Sequence, residues 1–134
     1  MKTKHIVVLL LAVLLALPVM AKKKKDGGNP LIKFTEQTYN FGNVKEQGGP
    51  VSHEFEFFNT GNGNLVILDA TAQCGCTRPE YPKNPVAPGK KGKVKITYNP
   101  VGRPGPFRKT VTLKTNAKPR KVTLVIEGTV VPNK

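Results

Sequence analysis

From Leu31 onward the apolar side chains fall on alternate positions, and nowhere do they recur with a helical period over a useful length. Successive side chains leave a strand on opposite sides, so a period of two lets a segment bury one face only when it is extended. Ten prolines and eleven glycines from Leu31 onward interrupt the alternation every few residues. They impose short strands and tight connections. A chain of this kind folds by stacking sheets.

Leu31 to Phe34 and Thr38 to Phe41 read as two short strands near an edge. Val51 to Asn59 sends His53, Phe55 and Phe57 to one face and Glu54, Glu56 and Phe58 to the other. The run from Thr60 to Asn64 is dense in residues that accept positive φ, and so reverses the chain before a strand from Leu65 to about Thr71. Pro79, Pro82, Pro85 and Pro88 then predict a long connection, because proline offers no donor to a central ladder. Alternation resumes from Gly92 to Tyr98, with Val94, Ile96 and Tyr98 inward. It returns from Phe107 to Thr115 and from Lys121 to Val131, around a reversal at Asn116 to Pro119. About seven short strands describe an all-β, immunoglobulin-like β-sandwich, with a small closed barrel as the alternative. The chain has no tryptophan and no widely separated cysteine pair, so the pinned core of antibody domains is absent.

The N-terminus has the layout of an export signal: Lys2 and Lys4, then an apolar run from Ile6 to Leu17, then Pro18 and Val19-Met20-Ala21. The run is shorter than the roughly 20 residues of a membrane-spanning helix. No cysteine follows Ala21 to accept a lipid. The expected organisation is a cleaved signal over 1–21, a flexible basic tail over 22–30 and one sandwich domain over 31–134. The destination is periplasmic or extracellular. Discounting Lys2 and Lys4 from the formal net charge of +14 leaves +12. In an exported protein that balance points to an anionic envelope polymer, lipid head groups or an acidic envelope protein, or else to a solvated lysine surface that guards strand edges. Nucleic acid is not expected as a partner, because the aromatic residues alternate into the core and form no stacking platform.

Cys74 and Cys76 are the only cysteines and stand one residue apart in Cys74-Gly75-Cys76-Thr77. Four readings fit them. If the apolar series Val66, Leu68, Ala70, Ala72, Cys74, Cys76 ran straight through, both thiols would face the core as small hydrophobes. A disulfide requires the chain to bend, and Gly75 is the residue best able to bend it. Redox exchange requires a lowered thiol pKa, to which Arg78 could contribute. Two thiolates could also hold Cu(I). The pair is thus a candidate functional or disulfide site, with Gly75, Thr77 and Arg78 as candidate loop surface.

A catalytic set is hard to assemble. His53 is the one histidine after the signal, and Ser52 beside it, the only serine, points to the opposite strand face. Glu54 and Glu56 share a face, but opposite cationic strands they read as cross-strand partners. No catalytic residue, cofactor site or metal site is expected.

The series His53-Glu54-Phe55-Glu56-Phe57-Phe58-Asn59-Thr60-Gly61, Leu65-Val66-Ile67, Cys74-Gly75-Cys76-Thr77, Pro88-Gly89, Thr115-Asn116 and Glu127-Gly128 resembles, in order and spacing, bacterial domain-of-unknown-function family 1573. The resemblance covers the chain from about Leu31. It implies an exported protein with an immunoglobulin-like sandwich, similar to the domains of Hydin and the major sperm protein. It implies little about activity. The expectation is an exported, non-enzymatic binding or structural module of the bacterial cell envelope. The alternative is a small thiol protein that uses Cys74 and Cys76 for redox exchange or copper binding.

Overall fold

The computed structural model describes residues 28–133, which form eight strands and no helix. The proposed export signal and residues 22–27 of the basic tail lie outside the described residues. The strands are β1 (Ile32–Phe34), β2 (Thr38–Lys45), β3 (Val51–Asn59), β4 (Ile67–Ala72), β5 (Thr77–Glu80), β6 (Lys91–Tyr98), β7 (Gly105–Thr115) and β8 (Lys121–Val131). One sheet has the order β1-β3-β6-β5 and the other β2-β8-β7-β4. Two separate sheets make this a sandwich, not a closed barrel. All pairings are antiparallel except β2 with β8, which run parallel.

Alternation decides which face each strand buries. Phe55 and Phe57 of β3 and Val94, Ile96 and Tyr98 of β6 meet Val111 and Leu113 of β7 and Leu124 and Ile126 of β8, all almost wholly excluded from solvent. Burying each such side chain contributes about 1.5–3 kcal/mol before chain entropy is set against it. Tyr98 stacks on Phe107 across the sheets, with ring centroids 4.0 Å apart. The outer face of the first sheet carries a charge ladder in which Glu54 and Glu56 face the lysines of β6, as expected. Lys93 Nζ lies 3.3 Å from Glu54 Oε2 and Lys91 Nζ 3.9 Å from Glu56 Oε2.

Four details depart from the sequence expectation. β5 is an additional strand inside the proline-rich connection, and it contains Pro79. β4 starts at Ile67, while Leu65 makes an isolated bridge to Val86. The register of β4 on β7 shifts between Ile67 and Asp69, so Ile67 is buried and Leu68 is 57% exposed. The even-numbered apolar series is therefore not one strand face. Finally, Asn29 and Pro30 are held to the fold: the Asn29 N–H donates to Asn62 Oδ1 at 2.7 Å, and Pro30 is buried. Glycine is required where this segment docks. A Cβ on Gly61 would overlap the Asn29 carbonyl and fall 2.5 Å from the Leu31 nitrogen.

Candidate functional site

β4 lies in one sheet and β5 in the other, so Gln73 to Cys76 must carry the chain across the sandwich. The Gln73 N–H still donates to the Thr110 carbonyl at 3.1 Å. Its side-chain Oε1, and not its own carbonyl, accepts from the Thr110 N–H at 3.4 Å. That substitution of acceptor releases the chain from β7.

The crossing is made by the two cysteines. Cys74 and Cys76 are joined by a disulfide, with Cα atoms 5.3 Å apart. Two residues of straight strand span about 6.6 Å, so the chain is bent here. The Thr77 N–H donates to the Cys74 carbonyl at 3.2 Å and closes the turn, and the Asn99 N–H donates to the Cys76 carbonyl at 2.9 Å and starts β5 on β6. Cys74 is half-buried, Cys76 is buried, and Gly75 is exposed. Gly75 has no positive φ, and a Cβ added to it meets nothing within 4 Å. The bend therefore does not need glycine.

Thr77 and Arg78 were expected on a loop surface; both belong to β5, and their environments differ. Thr77 is 4% exposed, and its Oγ1 lies 3.5 Å from Cys76 Sγ and 3.8 Å from Cys74 Sγ. It packs under the bridge. Arg78 is exposed, with Nε 4.0 Å from Glu80 Oε1. His53 joins a different cluster: it stacks on Tyr39 at 3.5 Å between centroids, and its Nε2 lies 2.5 Å from Glu36 Oε1. Among the described residues, no group of three or more His, Cys, Asp and Glu side chains could hold a metal ion.

The crossover also fixes what the two flanking strands offer. In an antiparallel ladder, residues alternate between bonding the neighbour and pointing their N–H and C=O away. The Asn99–Cys76 bond sets the phase on β5, so Thr77 and Pro79 point outward. The Thr77 N–H is already used and Pro79 has none. β5 is a guarded edge, and proline is tolerated there for that reason. The Gln73–Thr110 bond sets the phase on β4, so Ala70 and Ala72 point their backbone groups away from β7. These groups make no further backbone bond among the described residues. Of the other edges, β1 has three residues and the Ile32 N–H donates to the Lys118 carbonyl. β2 is broken by a bulge between Asn40 and Asn43, with Gly42 at φ 69°. β4 is the open edge, and the sequence does not mark it, since Leu68 reads there as part of the core-facing series.

Comparisons with known proteins agree with this architecture. Residues 32–130 match the family described as protein of unknown function, DUF1573. A protein of unknown function from Porphyromonas gingivalis superposes with TM-score 0.66 at 12% identity, over 76% of this chain and 47% of that one. The VesB protease of Vibrio cholerae superposes with TM-score 0.62 at 16% identity, over 74% of this chain and 32% of that one. This chain thus spans less than half the length of either. A PapD-like domain of human CEP192 gives TM-score 0.62 at 14% identity, over 77% of this chain and 87% of that one. At these identities the likeness is one of fold. No curated protein sequence matches the chain.

Proposed function

The chain belongs to the DUF1573 family, and we propose that it is an exported, non-enzymatic binding module of the cell envelope that accepts an extended segment of a partner protein along β4. The observation that carries this reading is the edge of β4. Ala70 and Ala72 hold out unpaired backbone groups. Strand addition draws its affinity from such main-chain groups and its selectivity from the side chains beside them. The Cys74–Cys76 bridge ends β4 and anchors β5, which keeps the edge in one register. Strand lysines such as Lys93, Lys95 and Lys114 favour a partner of negative charge.

Capture of envelope proteins from extracts, in low and in moderate salt, tests the reading. The baits are the native chain and the variants Ala70→Pro and Ala72→Pro. Each proline removes one outward N–H and leaves the ladder to β7 intact. A partner held by the native chain and lost, by about tenfold or more, from both folded variants supports strand addition. No partner at either salt, or equal capture by all three baits, overturns it.

A further inference from the structure

The end of the sandwich away from the disulfide gathers cations that no ion pair among the described residues engages. Lys114, Lys118, Arg120 and Lys121 lie within eight residues around the β7–β8 turn, and all four are exposed. None of them takes part in the five ion pairs among the described residues. The carboxylate nearest in register is Asp69, opposite Lys114.

The turn that presents them is tied down from several sides. The Thr115 N–H donates to the Arg120 carbonyl at 2.7 Å, and Thr115 Oγ1 donates to the Pro119 carbonyl at 3.1 Å. Asn116 accepts from the Val66 N–H at 2.8 Å and donates to the Asn64 carbonyl at 3.1 Å. Two apolar side chains stand among the cations. Leu31 is 38% exposed and bridges to Lys118, and Leu68 is 57% exposed beside the Asp69–Lys114 pair. The N-terminal segment arrives at the same place, since the Lys118 N–H donates to the Pro30 carbonyl at 3.2 Å.

We propose that this end docks the domain on an anionic phospholipid bilayer. Fixed cations would meet the head groups and the two leucines would enter the interface, a combination that a soluble polyanion does not reward. The bilayer also fits the geometry of the edge site, because the crossover and its bridge then point away from the membrane toward an envelope partner. The inference rests on the envelope reading above, but not on strand addition.

Co-sedimentation of the purified exported protein with phospholipid vesicles tests it, using pure phosphatidylcholine and phosphatidylcholine mixed with phosphatidylglycerol. The expected result is binding to the anionic vesicles alone, weakening as salt rises. The triple variant Lys118→Glu, Arg120→Glu, Lys121→Glu should bind at least about tenfold more weakly. A control with the same net charge, Lys45→Glu, Lys93→Glu, Lys95→Glu, should retain most of the binding. Leu31→Ser with Leu68→Ser should weaken vesicle binding and leave binding to soluble polyphosphate unchanged. Equal loss in both charge variants, equal binding to neutral vesicles, or no effect of the leucine changes overturns the proposal. Capture of an envelope protein along β4 is read separately with the proline variants. Its failure alongside intact vesicle binding counts against strand addition alone.

Discussion

Gly92 and Phe57 are register partners on β6 and β3, and the ring of Phe57 covers the glycine so closely that a Cβ there would fall 2.5 Å from Cζ. The glycine makes room for a fully buried aromatic ring between the two central strands of its sheet. Gly92→Ala should therefore destabilise the fold by about 1–3 kcal/mol, as overpacking does. The loss should shrink when Phe57→Leu is made as well, since the two changes share one contact. Urea unfolding of the two single variants and the double variant checks this.

Asn59 is 1% exposed and ties two loops together. Its Nδ2 donates to the Gly63 carbonyl at 2.7 Å and the Val86 carbonyl at 2.9 Å, and its Oδ1 accepts from the Gly61 N–H at 3.1 Å. Asn59→Ala leaves the buried Gly63 carbonyl without this donor and takes one of two donors from the Val86 carbonyl, which keeps the Leu65 N–H, at a cost of about 2 kcal/mol. Asn59→Asp should also destabilise, because a carboxylate cannot donate to either carbonyl. Denaturant midpoints measured in parallel decide both.

Much of this fold is legible before any coordinates. β3, β6, β7 and β8 each bury one face against the other sheet, so hydrophobic alternation marks them. β5 is hidden because Pro79 argues against a strand, and only the phase of its pairing shows that the missing N–H points to solvent. The bulge at Leu68 shifts the parity of the apolar series, so Leu68 faces solvent while Ala70, Ala72 and Cys74, in the same sequence phase, pack against the core. The cysteines stand out in the sequence as the candidate site. The open edge of β4 does not, because it depends on which residues of β7 accept from it.

The bridge closes a very short loop, which limits what it does for stability. Intact mass should show a deficit of two hydrogens relative to free thiols, removed by reduction and alkylation. Reduction should cost only about 1.5 kcal/mol, the loop-entropy value for so small a ring. A loss several times larger would assign the bridge a structural weight this account does not give it. Gly75→Ala should change stability by no more than about 0.5 kcal/mol, because its Cβ meets nothing.

Burial pushes the Tyr98 phenol above its usual value of 10.0, with the Arg103 cation opposing in part. The folded state thus favours the neutral phenol. Its contribution is fully present below 10.0, the ordinary value, and is lost as the pH rises through the raised one. Phenolate absorbance should therefore develop late for one tyrosine, together with alkaline unfolding. Tyr98→Phe should make the fold less sensitive to high pH, as measured by thermal unfolding at successive pH values.

The central claim is that β4 is the edge a partner occupies, and amide hydrogen exchange along that strand tests it most directly. In the free protein, Asp69 and Thr71 should be protected through β7 while Ala70 and Ala72 exchange rapidly. In the complex recovered from envelope extracts, Ala70 and Ala72 should become protected as well. Unchanged exchange at those two amides in a complex that is otherwise intact would contradict the account.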